Sequence, residues 1–322
     1  MNRELSYEEA TQFVNAWDHY GGSIPKIAKH FGMSQRNTFI RRRKVEEILG
    51  IDLLASSNYS KKNYPQYQTL FHEKKKKYSI VVGSDYHEVP GKRPKAFIAF
   101  LDFIKDVQPE VVVINGDFFD FPSISRHARI DWQQLPSVED ELIDGVSRMN
   151  EIQQASPKSK KYFILGNHDL RFSGKLANNA HEFQNIKGMQ LEDHIPNWEI
   201  CMSVVFNDCM IVMHRYHNGI HSSYNDVLKS GSNIVTGHDH KLNVRPYTDF
   251  SGVRYGIKSG VLSDIYSPVF AYMESKPRDW QPGFVYIHVD EQVIIPYCMP
   301  VVLDKRSRHY GKTFHGGKWY GK

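Results

Sequence analysis

Five short motifs in this sequence place aspartate, asparagine or histidine directly after a run of apolar residues. The run at 111–114 is followed within a few residues by Asp117 and Asp120. The other four runs lead to the remaining polar side chains: Asp85 and His87, Asn167 and His168, His214, and His238 and His240. A carboxylate at the end of a buried strand is costly to ionise unless a cation or a hydrogen-bond donor meets it. The pattern therefore predicts one metal site built from five strand ends.

The mixture of ligand types indicates which ions such a site would take. Carboxylate oxygens combined with imidazole and amide groups suit Mn²⁺, Fe²⁺, Zn²⁺ or Mg²⁺ rather than a metal that prefers thiolates. One carboxylate can bridge two ions, and two ions roughly 3.5–4 Å apart can hold a hydroxide and clamp a phosphoryl group. The chemistry that this pattern favours is thus metal-assisted phosphoester hydrolysis.

The elements that position these motifs follow from the periodicity. Apolar, β-branched runs of four or five residues are too short for helices and predict buried strands. Strands alternate with helices at 94–107 and 137–154 as far as residue 169, which is α/β order. The later part is richer in strands, which we predict at 200–206, 210–213, 243–247, 253–258, 284–289 and 293–297.

Composition places the chain among soluble, membrane-free proteins. Its 322 residues are 40% hydrophobic, its mean hydropathy is -0.51, and it has no run of about 18 apolar residues. The polar start does not resemble a signal peptide. The three cysteines are scattered without metal-finger spacing. We therefore expect free thiols and a cytoplasmic protein.

Charge is distributed unevenly along the chain. Residues 1–77 hold 14 lysines and arginines against 8 acids, residues 304–322 hold 6 against 1, and the centre holds 21 against 27. Basic ends suit a polyanionic partner, although solvated tails have the same composition. With the loss of periodicity between 55 and 77, this divides the chain into four predicted parts: a helical domain at 1–54, a basic linker at 55–77, a catalytic domain at 78–303, and a basic tail at 304–322 that we expect to be disordered.

The N-terminal segment has the pattern of three short helices. The third, at 35–49, begins after Ser34, a good N-cap. Ala28 and Gly32 have the spacing of a helix-turn-helix, which this segment resembles, although Thr38 and Arg41 fall where that pattern is usually apolar. The resemblance implies a reading helix in the major groove of double-stranded DNA. Its expected outward, DNA-binding residues are Arg36, Arg41, Arg42, Arg43 and Lys44. A small helical bundle with a basic surface is the alternative interpretation.

The ordered set of five motifs resembles the calcineurin-like metallophosphoesterase superfamily, which includes nucleases, phosphoprotein phosphatases and cyclic-nucleotide phosphodiesterases. The resemblance spans residues 80–240. It implies an α/β fold, a four-layer αββα sandwich of two mixed sheets between helices, here preceded by the small all-α segment. It also implies two divalent metal ions, for which we expect Mn²⁺ with Fe²⁺, Zn²⁺ or Mg²⁺ as alternatives.

Carried over residue by residue, the resemblance assigns each motif a role. Asp85, His87, Asp117 and His240 should hold the first metal, and Asp117, Asn167, His214 and His238 the second. A metal-bridging hydroxide would then attack phosphorus. His168 is left without a metal and is placed to assist the leaving group, with Asp120 as the carboxylate that orients it.

Four further residues are predicted to contact substrate. Arg215 follows His214 where the family commonly has glycine, and it could crowd the second metal or bind a phosphate oxygen. Arg171 is a predicted phosphate clamp. His127 and His217 lie near metal motifs in the sequence.

Three functions remain open from the sequence alone. The first is a DNA nuclease in which basic arms hold the polyanion that an acidic core would repel. The second is a phosphomonoesterase or small-molecule phosphodiesterase with an N-terminal interaction module. The third is a DNA-binding regulator without catalysis. The sequence does not determine the oligomeric state, and a homodimer is an option because many nucleases of this superfamily are dimers.

Overall fold

The computed structural model describes residues 5–51, 53, 70–73, 75–127, 132, 134–273 and 279–322. It divides the chain into two compact units, Met1–Tyr67 and Gln68–Lys322. In the described residues, no helix combines the length and apolar character that crossing a bilayer requires. The three cysteines are free thiols.

The first unit contains the three predicted helices. They are α1 (Tyr7–His19), α2 (Ile24–His30) and α3 (Gln35–Leu49). Ser6 and Glu9 form a capping box at α1, and Ser34 accepts a hydrogen bond from the Asn37 amide at α3. A core that includes Phe13, Trp17 and Val45 holds the helices together. The helical prediction is thus confirmed.

The second unit is built on two six-stranded mixed sheets. The strands are β1 (Leu70–Glu73), β2 (Lys77–Gly83), β3 (Val111–Asn115), β4 (Lys160–Ile164), β5 (Glu199–Cys201), β6 (Ser203–Phe206), β7 (Met210–Met213), β8 (Asn233–Thr236), β9 (Leu242–Asp249), β10 (Gly252–Ser259), β11 (Gly283–Asp290) and β12 (Val293–Pro300). The first sheet has the order β12-β11-β2-β3-β4-β5 and the second has β1-β6-β7-β8-β10-β9. Strands β2, β3, β4 and β5 run parallel to one another, and β11 is antiparallel to β2.

Alternating side chains explain why the strands of the first sheet are apolar on both faces. Val82 and Val113 point toward the second sheet, in a core shared with Val212 and Val235. Their neighbours, such as Val112, pack on the other face against helices. The helices on that side are α4 (Lys95–Val107) and α5 (Val138–Ala155), while α6 (Leu170–Asn179) follows β4 and α7 (Ser222–Ser230) packs on β8, β9 and β10. The predicted sandwich of two mixed sheets between helices is confirmed.

Two predictions about the edges of this unit were wrong. The tail at 304–322 is not disordered: it forms the hairpin of β13 (Thr313–His315) and β14 (Lys318–Tyr320), and the Tyr320 ring packs 5.0 Å from Phe103 of α4. The segment at 55–77 is not linker throughout, because β1 pairs with β6. The rest of that linker, apart from 75–77, lies outside the described residues.

A third correction concerns the strand predicted at 200–206. The chain there forms two strands, β5 in the first sheet and β6 in the second, with Met202 between them. A single bend residue lets the chain cross from one sheet to the other, which the apolar pattern of the sequence does not reveal.

Candidate metal centre

The predicted ligands lie on loops that leave the strands in strained backbone conformations. Positive φ angles occur at five of them: Asp85 (54°), His87 (47°), Asp117 (50°), His238 (70°) and His240 (58°). Non-glycine residues rarely adopt this region, and such strain persists only where the surrounding structure imposes it. The strain therefore concentrates where five loops converge.

The first cluster brings together Asp85, His87 and His240. His240 Nε2 lies 3.2 Å from Asp85 Oδ1 and 3.2 Å from His87 Nε2, and the remaining pair is 3.9 Å apart. Ligand atoms bound to one ion at about 2.0–2.2 Å are roughly 3–3.5 Å from each other at tetrahedral or right angles. The three buried side chains have the spacing of a metal site.

The second cluster contains Asp117, His214 and His238, whose ligand atoms lie within 4.8 Å of one another. Asn167 belongs beside them, because the next residue, His168, donates its backbone N–H to Asp117 Oδ1 at 2.8 Å. The Asn167 Oδ1 atom is buried and has no hydrogen-bond partner. Such an orphaned oxygen is costly unless something else meets it. A cation would satisfy it.

His214 provides the sharpest test of whether the second cluster fits a cation. Its Nδ1 donates to the Asn115 carbonyl at 2.7 Å, so in the neutral ring Nε2 carries a lone pair. That lone pair faces Asp117 Oδ2 at 3.1 Å. Although burial lowers the pKa of His214, the Asp117 carboxylate raises it to about 10. The pair requires positive charge between its two atoms, either a proton or a metal ion.

The carboxylates are held ionised by their surroundings. Burial raises the pKa of Asp85, but the nearby His240 and His214 outweigh it and lower the value to about 2. The same competition lowers the pKa of Asp117 well below its usual range, with His214 as the main opposing group. Anionic oxygens are thus available for a metal at ordinary pH.

His168 and Asp120 form a pair beside the two clusters. Asp120 Oδ1 lies 2.6 Å from His168 Nδ1 and 2.9 Å from His87 Nδ1. Burial lowers the pKa of His168, yet the hydrogen bond to Asp120 raises it above the ordinary value. Arg171 donates from Nη1 to the Asp120 carbonyl at 2.6 Å, and its Nη2 lies 3.1 Å from His168 Nε2. The structure thus places Arg171 directly against His168.

Asp169 is a site residue that the sequence analysis left without a role. Its buried carboxylate accepts hydrogen bonds from four backbone amides, those of Gly166, Asp117, Phe118 and Phe119, at 2.8–3.1 Å. It thereby ties the loop after β4 to the loop after β3. Its position in the Gly-Asn-His-Asp run, at the end of an apolar strand, was the signal available in the sequence.

Lys258 is the second residue that was missed. It is 1% exposed, and its Nζ lies 2.9 Å from Asp226 Oδ2 and 3.2 Å from Asp239 Oδ2. Asp239 stands between two predicted ligands, and Ser222 of α7 donates to it at 2.6 Å. The lysine therefore holds the His238–His240 loop against α7 and β10. A lysine at the end of the strand predicted at 253–258 was its only trace in the sequence.

The four predicted substrate contacts have different surroundings. The N–H and Nδ1 of His217 both lie 3.0 Å from the buried Asp226 Oδ1, so its ring is held in place. Arg215 is exposed beside the second cluster, where its charge, after burial and His214, helps to lower the pKa of His238 to about 4. Arg171 contacts His168 as described. His127 is exposed and, among the described residues, belongs to neither cluster.

The five basic residues predicted to face DNA from α3 do not share one environment. Arg36, Arg43 and Lys44 are exposed. Arg41 and Arg42 were wrongly placed outward: they are half-buried, with their guanidinium groups 5.3 Å from the Phe31 ring centre and 5.2 Å from that of Trp17. Their stems lie along the core instead, as long cationic side chains often do.

A family model described as calcineurin-like phosphoesterase matches residues 78–242, just over half of the chain. The chain belongs to this family. The matched range contains every predicted ligand, so the calcineurin-like phosphoesterase domain and the two clusters coincide. Members of the family depend on two metal ions, and the ligand geometry of this chain fits that requirement.

Comparison with individual proteins found more distant relatives. The Gene 54 protein of Mycobacterium phage L5 is 24% identical over 264 residues, covering 69% of this chain and 93% of the relative. The Gene 54 protein of Mycobacterium phage D29 is 25% identical, with the same coverage.

Solved structures similar to this chain include two with phosphoesterase descriptions. One is a protein serine/threonine phosphatase from Saccharomyces cerevisiae with similarity to human phosphatase PP5: identity is 14%, coverage 74% of this chain and 85% of that chain, and the TM-score 0.36. The other is Yfce, a phosphoesterase from E. coli, with 15% identity, coverage of 71% and 95%, and a TM-score of 0.35.

Proposed function

We propose that this phosphoesterase is a nuclease that hydrolyses phosphodiester bonds in DNA, with Mn²⁺ as its preferred metal. The observation that carries the proposal is the pair of ligand clusters, the second of which contains Asp117, with His168 Nε2 3.9 Å from Asp117 Oδ2. Two ions at such a site activate water and neutralise the phosphoryl oxygens. The first would be held by Asp85, His87, Asp117 and His240, and the second by Asp117, Asn167, His214 and His238.

His168 and Arg171 are proposed to serve the leaving group and the phosphate. Asp120 fixes the Nδ1 side of the imidazole, and the Arg171 Nη2 group, which can only donate, lies 3.1 Å from Nε2. When the imidazole is protonated, both nitrogens are donors, and an anionic substrate oxygen that accepts from both would relieve their repulsion. His168 can then give its proton to the departing oxygen.

Nucleic acid is proposed as the substrate because of where the cations lie. The first unit exposes Arg36, Arg43 and Lys44 on α3, next to Phe39 and Ile40, which are each 50% exposed. The central region, which carries the two ligand clusters, has more acidic than basic residues. A catalytic region of that charge needs cations elsewhere to hold a polyanion.

A cleavage panel tests the proposal. Supercoiled plasmid, linear duplex and single-stranded DNA are incubated with the full chain and Mn²⁺, with EDTA as the metal-free arm. We expect cleavage that EDTA abolishes, and that Asp117→Asn removes. His168→Ala should lower the rate by about 10²–10⁴-fold. The matched control His181→Ala, an exposed histidine far from any motif in the sequence, should cleave like the parent.

Two results would contradict the nuclease proposal. One is that every DNA form stays intact with Mn²⁺. The other is that p-nitrophenyl phosphate is hydrolysed while DNA is not, which would select the phosphomonoesterase alternative.

A further inference from the structure

The C-terminal hairpin turns two aromatic side chains toward solvent. In the pairing of β13 with β14, Phe314 lies opposite Trp319, whereas Thr313 lies opposite Tyr320. Thr313 and Tyr320 are buried, but Phe314 is 51% and Trp319 37% exposed. Trp319 stacks on the His309 ring at 3.7 Å with nearly parallel planes. We call His309, Phe314 and Trp319 the aromatic face.

Cations border the aromatic face. Arg308 is exposed and donates from Nε to His309 Nε2 at 3.0 Å. Desolvation, followed by the charges of Arg308 and Lys312, lowers the pKa of His309. Of the acids nearby, Asp304 is paired with Arg306 and Asp106 with Lys318, and Asp102 accepts a hydrogen bond from the Gly321 amide. The segment 304–322 that carries the aromatic face holds six lysines and arginines against one acid, so its own charge is positive.

A groove of about 130 Å³ adjoins the same segment of chain. Its lining includes three cations, two tyrosines and one acid: Arg93, Lys95, Lys305, Tyr266, Tyr310 and Asp264. The Lys95 ammonium lies 5.9 Å from the centre of the Tyr310 ring, and Arg93 is paired with Glu151. Tyr310 is the chain neighbour of His309, so we refer to this feature as the basic groove next to the aromatic face.

The basic groove also adjoins the metal centre. Ser263 lines it and donates its backbone N–H to the Asp85 carbonyl at 3.2 Å. A wall of the groove is thus bonded directly to a loop that carries a predicted ligand. The basic groove thus contacts the Asp85 loop at one wall and, through the adjacent residues His309 and Tyr310, joins the segment that carries the aromatic face.

We infer that the aromatic face and the basic groove bind a single strand of DNA, with bases stacked on Trp319 and Phe314 and phosphates held by Lys95, Lys305 and Arg308. This inference rests on the proposed nuclease function, which it deepens by naming an unpaired strand as part of the substrate. Base stacking on aromatic rings combined with a cationic groove is the general means of binding single strands.

Single-stranded rather than duplex DNA is the occupant that this surface favours. In a duplex the faces of the bases are already stacked on each other, so exposed aromatic rings gain little from it. In an unpaired strand the base faces are free, and each can pack on a ring at whatever sequence it carries. The cations of the groove would contact the backbone of that strand.

Anisotropy of a fluorescently labelled oligothymidylate measures this binding. The full chain is titrated in EDTA so that no cleavage occurs. We expect Trp319→Ala and Phe314→Ser each to weaken binding by roughly 5- to 100-fold. The matched control Phe250→Ala removes an exposed aromatic ring from the turn between β9 and β10, and its affinity should equal that of the parent.

Salt dependence provides the second arm. Replacing both Lys305 and Arg308 by alanine should reduce the slope of log K against log[salt] by about 1.4, since each lost phosphate contact contributes roughly 0.7 on single strands. Thermal unfolding verifies that each variant is folded. If Trp319→Ala does not fold, the test rests on Phe314→Ser.

The outcomes separate this inference from the function beneath it. If the parent cleaves DNA, and Phe314→Ser binds oligothymidylate as tightly as the parent does, the single-strand inference is overturned and the nuclease proposal stands. Binding lost in the hairpin variants, from a protein that cleaves no DNA, would support the surface and overturn the nuclease. The single-strand inference is also overturned if the parent binds duplex DNA more tightly than oligothymidylate and the variants weaken both affinities equally.

Discussion

Asp169 shows how one buried side chain can organise a site without touching substrate. Its carboxylate supplies only acceptors, and four backbone amides of two different loops converge on it. The same loops carry the predicted ligands Asp117 and Asn167, so Asp169 helps to set the distance between them, together with the hydrogen bond from the His168 amide to Asp117. At the residue scale, a buried side chain that is not itself a predicted ligand thus helps to hold the ligand loops in place.

The first prediction concerns this carboxylate. In Asp169→Asn one acceptor oxygen becomes an NH₂ group that faces backbone N–H donors, which should lower the free energy of unfolding by about 1–3 kcal/mol and weaken Mn²⁺ binding. Chemical denaturation and calorimetric titration with Mn²⁺ measure the two effects. Asp193→Asn is the control, because Asp193 also accepts backbone hydrogen bonds but on the exposed surface. Equal stability of the two variants would contradict the role assigned to Asp169.

At the element scale, the strand ends approach each other so closely that some positions admit only glycine. A Cβ at Gly166, two residues after β4, would lie 2.2 Å from Asp117 Oδ1. At Gly116, the residue after β3, it would lie 2.4 Å from the His214 ring, and the φ there is 80°. The small residue after each strand is therefore what allows the ligand loops to meet.

The second prediction compares two glycines that lie eight positions apart in the sequence. Gly166→Ala should displace the Asp117 carboxylate and weaken Mn²⁺ binding by about 10- to 100-fold, as loss of a supporting contact does at metal sites. Gly174→Ala lies inside α6 with open space around its Cβ, and it should stabilise the protein by roughly 0.5–1 kcal/mol. Calorimetric titration and thermal unfolding measure both. Equal Mn²⁺ affinities of the two variants would contradict this prediction.

The third prediction concerns pH and the contact between α5 and the loop after β3. Burial raises the pKa of Glu141 from its usual 4.5 to about 8, and its Oε1 accepts the Phe121 amide at 2.8 Å. A raised pKa in the folded state stabilises the fold fully below pH 4.5, and that contribution is lost as the pH rises through 8. Glu141→Gln keeps the acceptor and removes the titration.

Melting temperatures across this pH window measure the effect. The parent should lose stability relative to Glu141→Gln as the pH rises through 8, while Glu139→Gln, on the exposed side of the same helix, should follow the parent. A constant difference between the parent and Glu141→Gln would contradict the prediction.

At the scale of the whole molecule, the sequence predicted what repeats and missed what depends on one or two side chains. The convergence of five strand ends was predictable, because apolar runs followed by ligand-type residues recur in order. The hairpin of the tail was not predictable, because only Thr313 and Tyr320 of its two strands are buried. Two residues are too few to form a recognisable apolar pattern. The inward turn of Arg41 and Arg42 was hidden likewise, because their stems pack although their charges suggest solvent.

We propose that seven side chains from five loops hold two divalent ions about Asp117. Anomalous diffraction from crystals of the full chain grown with Mn²⁺ would locate these ions. We predict two peaks roughly 3.5–4 Å apart, one beside Asp85, His87 and His240 and the other beside Asn167, His214 and His238, with Asp117 between them. No peak, or a single peak away from Asp117, would contradict the account.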